Sequence, residues 1–245
     1  MIIIEIDLNC WTERGLNVKN RKKTALILGA TGLVGNELVK ILIQQKNYEK
    51  IHLLVRRPIV SHDPACEVHV VDFEQLHTYQ ELFQVTDVFC CLGTTIKKAK
   101  SKEAFRKVDY EYPVEAAKIA NVSGVEKFLI ITAMGSNAKS SIFYNQVKGE
   151  VEESLGKLSL PSVHIFRPSL LLGEREEFRF GEKIAAKASA FINILMVGPL
   201  HPYKAIEAKN VATAMAAVAE VGKSGMNIYP SHKIDQIAKE KNIIL

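Results

Sequence analysis

Short apolar runs alternate with amphipathic stretches along most of the chain. Short runs rich in Val, Ile, Leu and Phe are typical of buried strands, whereas apolar positions three or four residues apart predict helices. The predicted strands cover residues 24–28, 51–55, 67–71, 87–92, 127–131 and 163–166. The predicted helices between them cover residues 32–45, 74–83, 102–122 and 144–158. This repeated order of strand and helix predicts an α/β fold, a doubly wound parallel sheet with helices on both faces.

The regular alternation ends after Gly173. The rest of the chain is predicted to hold a charged loop at 174–181, a helix at 182–197, a segment with two prolines at 198–203, an alanine-rich helix at 207–221, a strand at 227–229 and a helix at 235–241. We therefore expect one domain over residues 24–245, in which residues 173–205 cover the substrate. Residues 1–23 fit no element of that pattern, so they are either an extension at the sheet edge or a disordered leader.

Composition limits the class of protein. The 245 residues are 47% hydrophobic and 24% charged, which is typical of a soluble globular chain. The net charge of +5 is too small and too dispersed to indicate a nucleic-acid partner or a membrane surface. The four cysteines contain no C-x-x-C pair, so neither a disulfide framework nor a metal site is expected. No apolar run approaches the roughly 18 residues of a membrane span, and we expect a cytoplasmic protein.

A glycine-rich turn, Gly-Ala-Thr-Gly-Leu-Val-Gly from Gly29 to Gly35, joins the first predicted strand to the first helix. Glycine permits a tight turn and lets the backbone approach a pyrophosphate, which the N–H groups at the helix start then bind. A plain strand-to-helix turn is the alternative, but the strand before it and the helix after it favour a dinucleotide site. It is not a P-loop, because no Gly-Lys-Ser/Thr follows. The predicted contacts are Gly29, Thr31, Gly32, Leu33, Val34 and Gly35.

The end of the second predicted strand indicates which dinucleotide is bound. About 20 residues beyond the glycines, a site selective for NAD would carry an Asp or Glu for the ribose hydroxyls. Arg56 and Arg57 stand there instead. Two guanidinium groups suit a 2′-phosphate, which they can bind through paired hydrogen bonds, although a solvated basic pair is the alternative. The sequence therefore predicts NADP(H) rather than NAD(H).

Two further strand ends are expected in the same crevice, because ligands of such sheets lie at the carboxyl edge. Asp72 and Phe73 follow the third strand and are predicted to meet the adenine. The stretch from Leu92 through Gly93 and Thr94 to Thr95 follows the fourth strand and is predicted to pass beneath the ribose and pyrophosphate. Taken alone, each is an ordinary turn, and only its position in the pattern indicates a ligand contact.

Tyr144 and Lys148 place a phenol and an ammonium four residues apart, on one face of a predicted helix. The charge of the lysine should lower the pKa of the phenol, which could then exchange a proton with a carbonyl or alcohol oxygen. An amphipathic surface helix is the alternative. The same spacing occurs between Tyr229 and Lys233, where Pro230 argues against a helix.

These residues resemble the short-chain dehydrogenase/reductase superfamily, in its extended or atypical branch. Longer stretches are similar to the Tat-interacting-protein-like oxidoreductases over nearly the whole chain from Thr24. The stretches are Val-Asp-Phe-Glu at 71–74, Phe-Cys-Cys-Leu-Gly-Thr-Thr at 89–95, Tyr-Asn-Gln-Val-Lys-Gly-Glu-Val-Glu at 144–152 and Phe-Arg-Pro at 166–168. The resemblance implies a Rossmann-type fold, NADPH in the crevice and Tyr144 with Lys148 as the catalytic pair. It also implies that Lys148 holds the nicotinamide ribose and that Pro168 lies beside the nicotinamide.

The chain departs from the superfamily pattern upstream of the tyrosine. A serine usually stands there and hydrogen-bonds the reacting oxygen, but this stretch has Ala133 in the matching slot, after Thr132. Loss of such a donor typically costs about 10²–10³ in turnover. Thr132 or Ser136 is the predicted substitute, and the catalytic set is therefore Tyr144, Lys148, Thr132 and Ser136.

Two functions remain from these observations. The first is an NADP(H)-dependent reductase of a small carbonyl compound, or dehydrogenase of the alcohol, with Tyr144 as acid or base. The second is an NADPH-binding protein that reports redox state to a protein partner with little or no turnover, which the alanine at 133 would suit. An epimerase or dehydratase is less favoured. His52 and His69 fall in strand patterns and are interpreted as packed or edge histidines.

Overall fold

The structure is a computed structural model that describes residues 23–173 and 204–244. Residues 1–22, and with them nearly all of the predicted leader, lie outside the described part. The same is true of the charged loop at 174–181, the helix at 182–197 and the proline segment at 198–203. The division of the chain at residues 23, 173 and 205 therefore stays a prediction.

Seven parallel strands form one sheet in the order β3-β2-β1-β4-β5-β6-β9. The strands are β1 Lys23–Leu28, β2 Tyr48–Val55, β3 Cys66–Val70, β4 Asp87–Cys90, β5 Lys127–Ile131, β6 Ser162–Arg167 and β9 Gly225–Pro230. Two short strands, β7 Leu171–Leu172 and β8 Ile206–Glu207, pair in parallel beside it. The order steps outward from β1 in both directions, as a doubly wound sheet requires, and the predicted fold class is confirmed.

Helices cover both faces of the sheet and divide the core into two layers. The helices are α1 Leu33–Gln45, α2 Ile96–Ala99, α3 Lys102–Arg106, α4 Tyr112–Val122, α5 Phe143–Leu155, α6 Ala208–Val221 and α7 Ser231–Ile244. On one face, Leu38 of α1 and Met215 of α6 pack against Ile27 and Leu53 of the sheet. On the other, α4 and α5 share a second cluster with Phe128 and Leu26. Alternate residues of each strand thus face opposite layers, which explains the nearly continuous apolar runs.

The helix predicted over 102–122 is present, but a π turn divides it. α3 ends at Arg106, the π turn covers Lys107–Glu111 and α4 starts at Tyr112, with helical dihedral angles at both junctions. Pro113 directly follows the π turn, where the helical hydrogen bonds are already shifted, so that its missing N–H does little harm. A π turn widens the helix locally and places Asp109 on the inner side, where the residue is buried.

The helix predicted over 74–83 is a 3-10 segment, Phe73–Phe83, with non-helical dihedral angles at Gln75 and Tyr79. Asp72 starts it, because its carboxylate accepts a hydrogen bond from the Glu74 N–H at 2.9 Å. Among residues 23–173 and 204–244, no helix has the length and apolar character needed to cross a membrane.

Because the seven strands are parallel, their carboxyl ends meet at one edge of the sheet. The connections that leave this edge contain nearly all of the predicted site residues. They begin after Leu28, Val55, Val70, Cys90, Ile131 and Arg167. Tyr144 and Lys148 reach the same edge from α5. The fold therefore gathers the predicted cofactor residues and catalytic residues in one crevice.

Candidate active site

The glycine turn between β1 and α1 has no room for side chains at two of its positions. Gly29 adopts a φ of +82°, and a Cβ there would lie 2.7 Å from the carbonyl oxygen of Cys91. A Cβ at Gly35 would lie 2.2 Å from the carbonyl oxygen of Gly29. Gly32 closes the turn, since its N–H donates to the Gly29 carbonyl at 2.9 Å. The turn therefore packs closely against the segment that follows β4 and against the start of α1.

The start of α1 is open to an anion. No side chain caps this helix at Gly32, and its first turn contains no acidic residue. Thr31 and Gly32 are exposed, while Val34 is buried in the core and Leu33 is packed against it. The unpaired N–H groups and the positive end of the helix dipole fit a phosphate. A pyrophosphate can therefore approach these N–H groups at Gly32, which is exposed and has no side chain.

An open depression of about 420 Å³ lies beside the ends of β2 and β3, and Arg56, Asp72, Phe73 and Tyr112 line it. Phe73 is buried and packs against Tyr112, with ring centroids 5.6 Å apart. Asp72 is exposed and also caps the 3-10 segment. Arg57 is exposed and does not line this depression. Arg56 is therefore the better placed of the two predicted arginines.

Sequence reasoning missed Glu74 and Tyr112. The Tyr112 hydroxyl donates to Glu74 Oε1 at 2.7 Å, and Lys107 Nζ lies 2.8 Å from the same oxygen. Burial and then the Glu74 carboxylate raise the pKa of Tyr112 to about 12. The phenol therefore stays protonated and forms one wall of the depression. The residues are 38 positions apart, so no local pattern indicates the contact.

The segment after β4 contacts both the glycine turn and the predicted catalytic pair, Tyr144 and Lys148. Cys91 contacts Gly29, as described above. Gly93 lies next to Lys148, because a Cβ at Gly93 would be 4.0 Å from Lys148 Nζ. The Thr94 N–H donates to Asp109 Oδ2 at 2.9 Å. Residues 91–94 thus run from the predicted phosphate site to the predicted chemical site.

The other predicted residues of this connection have local roles as well. Thr95 caps α2, because its hydroxyl oxygen accepts from the Lys98 N–H at 3.1 Å. Leu92 is partly buried and packs against the core.

Tyr144 and Lys148 lie one turn apart on α5, as predicted. Lys148 is 4% exposed, and its Nζ lies 2.7 Å from Asp109 Oδ1. Tyr144 is partly buried, with its ring 5.6 Å from that of Phe105 on α3. The π turn therefore places the carboxylate of Asp109 against the predicted catalytic pair. The sequence did not indicate this contact.

The electrostatic effect of Lys148 on Tyr144 differs from the expectation. Burial raises the pKa of Tyr144, Lys148 opposes this, and Asp109 adds to it, so the pKa lies above its ordinary value. Burial lowers the pKa of Lys148, but Asp109 and Tyr144 outweigh it and raise the pKa. The expected lowering of the phenol pKa is wrong for this structure, because burial is the larger effect and Asp109 partly neutralises the lysine. Tyr144 is a protonated phenol and Lys148 a charged ammonium.

The two hydroxyls predicted to replace the missing serine are engaged elsewhere. Thr132 Oγ1 is buried and donates to Glu152 Oε1 at 2.7 Å. Ser136 Oγ is buried and donates to the carbonyl of Ala133 at 2.6 Å, which closes a turn. Neither is hydrogen-bonded to Tyr144 in the described part of the chain, so their participation in catalysis stays a prediction.

Glu152 connects two of the sequence stretches that carry the family resemblance. It forms an ion pair with Arg167, through Arg167 Nε to Oε1 at 3.0 Å and through Nη2 to Oε2. The Val-Lys-Gly-Glu-Val-Glu stretch on α5 and the Phe-Arg-Pro stretch at the end of β6 are therefore bound to each other, and Thr132 at the end of β5 joins them. Paired hydrogen bonds between arginine and carboxylate are strong and directional. The network fixes α5, and with it Tyr144, over the carboxyl edge of the sheet.

Gly149 brings α5 close to the connection after β5. A Cβ at Gly149 would lie 2.1 Å from the backbone nitrogen of Ala138. Pro168 is buried after β6, and its carbonyl accepts from the Met134 N–H at 2.9 Å. Both contacts hold the segment 132–138 between α5 and the end of β6, beside the catalytic pair.

Comparison with known sequences identifies relatives over most of the chain. The sequence profile of the HIM1 family matches residues 62–198. Protein HTATIP2 of Rattus norvegicus is 39% identical over 173 residues, which cover 69% of this chain and 71% of that protein. "Protein FMP52, mitochondrial" of Eremothecium gossypii is 32% identical over 224 residues, 89% of this chain and 98% of that protein. Because the FMP52 relatives are named mitochondrial, the expectation of a cytoplasmic location is wrong.

Comparison with solved structures supports the fold. The Bordetella bronchiseptica enzyme WbmG in complex with NAD has a TM-score of 0.62 to this chain at 14% identity, covering 91% of this chain and 78% of its own. At this identity the likeness concerns the fold alone. The fold is a Rossmann type with a seven-stranded parallel sheet.

Proposed function

The chain belongs to the HIM1 family, and on that premise we propose that it is an oxidoreductase that binds NADP(H) and reduces a small carbonyl compound. Membership agrees with the resemblance to the Tat-interacting-protein-like group that the motifs indicated. The observation that carries the proposal is the cluster of Tyr144, Lys148 and Asp109, connected to the glycine turn by residues 91–94. This cluster places proton-transfer groups at the end of a dinucleotide crevice.

The residues present fit a nicotinamide dinucleotide. The start of α1 has no side-chain cap and no acidic residue in its first turn, and its N–H groups would hold the diphosphate. The depression beside Arg56 would take the adenosine end, with the guanidinium on a 2′-phosphate. Lys148 would hold the nicotinamide ribose, near Gly93. These assignments favour NADP(H) over NAD(H).

The chain's own groups would supply the proton. NADPH, when bound, would supply the hydride for the carbonyl carbon, and with one proton from the protein the carbonyl would become an alcohol. Tyr144 would donate its phenolic proton to the carbonyl oxygen, which suits a phenol whose pKa burial keeps high. Lys148 would stabilise the resulting phenolate, and Asp109 is a positioning residue that holds the lysine in place.

The cofactor proposal is tested by titration of the protein with NADPH and NADH, followed by nicotinamide fluorescence. We expect tighter binding of NADPH. Arg56→Ala should weaken NADPH at least tenfold, because a charge-assisted hydrogen bond contributes about 1.5–3 kcal/mol, and should leave NADH nearly unchanged. The matched control is Lys118→Ala, which removes an exposed charge on α4. The proposal is overturned if the folded protein does not bind NADPH at millimolar concentration.

The catalytic proposal is tested by turnover of a panel of aldehydes and ketones with NADPH. Tyr144→Phe should lower kcat by about 10²–10⁴ while NADPH still binds, because the phenyl ring keeps the packing on Phe105 and loses only the proton donor. Equal rates for the wild type and Tyr144→Phe would exclude this mechanism.

A second function is favoured by one specific observation: the chain has alanine at position 133, and the hydroxyls of Thr132 and Ser136 are bound to other groups. A site in which neither hydroxyl is free to assist Tyr144 at the reacting oxygen suits a protein that binds NADPH and signals its redox state to a partner. Tight NADPH binding with no turnover on any member of the panel would support this function over the reductase.

We also propose a mitochondrial location. The proposal rests on the relatives named "Protein FMP52, mitochondrial", which match 62–89% of this chain at 31–38% identity. Microscopy of the full chain with a C-terminal fluorescent tag tests it. A signal that does not coincide with a mitochondrial marker contradicts it.

A further inference from the structure

Three metal-ligating side chains meet on the outer part of the sheet, away from the proposed catalytic pair. His52 lies on β2, and Glu67 and His69 lie on β3, the edge strand. His52 is the register partner of Glu67, and His69 follows two residues later, so all three project from the same face. They are half-buried.

The donor atoms are already close together. His52 Nδ1 lies 2.9 Å from His69 Nε2, and Glu67 Oε2 lies 3.4 Å from His52 Nδ1 and 3.9 Å from His69 Nε2. Tetrahedral zinc with bonds of 2.0–2.1 Å needs donors roughly 3.3 Å apart. Side-chain rotations that shift the donor atoms by about half an ångström would therefore bring all three donors to this spacing, and the strands need not move.

Lys50 orients the carboxylate. Lys50 Nζ lies 2.7 Å from Glu67 Oε1, so the other oxygen, Oε2, is turned towards the histidines. A partner of this kind, on the far side of a ligating group, is what commonly fixes the ligands of metal sites.

The two imidazole rings are already hydrogen-bonded to each other through His52 Nδ1 and His69 Nε2. A metal ion would take the place of this hydrogen bond, and the displaced hydrogen can move to the other nitrogen of the same ring. Each imidazole can therefore offer one nitrogen lone pair to a cation, and the Glu67 carboxylate would offset part of its charge.

We propose that His52, Glu67 and His69 form a binding site for a divalent transition-metal ion of the zinc class, with a fourth position open to water or another ligand. Two imidazoles and one carboxylate suit Zn²⁺, whereas Mg²⁺ and Ca²⁺ prefer oxygen ligands alone. The ion would tie the edge strand β3 to β2. Local spacing did not indicate the site, because 15 positions separate His52 from its strand partner Glu67.

The test is calorimetric titration of the full chain, freed of metal by a chelator, with ZnCl₂ and separately with MgCl₂. We expect one equivalent of Zn²⁺ to bind at micromolar concentration or tighter, to raise the thermal midpoint, and to have no counterpart with Mg²⁺. His52→Ala and His69→Ala should each weaken Zn²⁺ at least tenfold, and Glu67→Gln should weaken it less. The control is His77→Ala, since His77 is exposed on the 3-10 segment outside the cluster; it should change nothing.

A measurement on the unaltered protein does not depend on how the variants fold. One equivalent of Co²⁺ should give the visible bands of a four- or five-coordinate site, and Zn²⁺ should abolish them. The proposal is overturned if the wild type binds no Zn²⁺. It is equally overturned if folded His52→Ala and His69→Ala bind Zn²⁺ as tightly as the His77→Ala control.

Discussion

Lys148 Nζ lies 2.7 Å from Asp109 Oδ1, and the two side chains are 4% and 1% exposed. Such a pair is stable only while both partners are present, because a lone charge in the interior lacks both water and a counter-ion. The pair also joins the π turn to α5. The proposed catalytic lysine thus depends on a residue from a distant part of the chain.

Asp109→Asn should therefore destabilise the protein. We expect a loss of about 3–5 kcal/mol in the free energy of unfolding, measured by urea denaturation, because the ammonium of Lys148 stays buried without its partner. Lys148→Met should lose a similar amount. The double variant should lose clearly less than the sum of the two, since it leaves no unpaired charge. Losses that simply add would show that the two side chains do not stabilise each other.

Thr132→Val tests whether the threonine acts on the substrate or only on Glu152. The structure has its hydroxyl donating to Glu152 Oε1, so we expect a loss of about 1–3 kcal/mol in stability and less than a tenfold change in kcat. A hydroxyl that stabilises the reacting oxygen would instead cost about 10²–10³ in kcat. Thr132→Ser, which keeps the hydroxyl, is the control for both measurements.

The parts of the fold that the sequence predicts are those set by neighbouring residues. β5 lies at 127–131 as expected, and α1 begins one residue later than expected, because strand and helix signals there are local. The π turn at Lys107–Glu111 was missed, although the helix around it was predicted and Pro113 stood next to it. The spacing of apolar residues does not distinguish a π turn from the α-helix on either side of it.

The residues of the candidate site show the same distinction between local contacts and contacts made only by the fold. Tyr144 and Lys148 were found because they lie on one helix, where four residues bring side chains together. Asp109 was missed because it is 39 positions away from Lys148 and meets it only through the fold. The pKa of Tyr144 was also predicted in the wrong direction, since burial is a property of the assembled structure.

Gly149→Ala should be strongly destabilising. The new methyl group would lie 2.1 Å from the backbone nitrogen of Ala138, which cannot move aside as a side-chain end could. We expect a loss of about 3 kcal/mol or more, at the upper end of overpacking effects. The matched control is Gly156→Ala at the end of the same helix, where φ is −64° and the nearest backbone atom would be 3.5 Å away. Its stability should change by less than about 1 kcal/mol. Equal effects at the two positions would contradict the close contact.

His164 should make the stability of the protein depend on pH. It is buried on β6, with Nε2 2.7 Å from Ser162 Oγ and Nδ1 3.1 Å from the Tyr229 hydroxyl. Burial and then the charge of Lys127 lower its pKa to about 4. In the unfolded chain the pKa is about 6.5, so between pH 6.5 and 4 the unfolded state binds a proton that the folded state does not. The stability due to this group is therefore complete above pH 6.5 and is lost as the pH falls.

His164→Gln should remove that part of the pH dependence. We expect the free energy of unfolding of the wild type to fall more steeply from pH 7 to pH 4.5 than that of the variant, by on the order of 2 kcal/mol. Urea denaturation at several pH values measures both curves. His232→Gln, on the exposed start of α7, is the control and should follow the wild type. Parallel curves for His164→Gln and the wild type would mean that His164 takes up its proton as readily in the folded protein as in the unfolded chain.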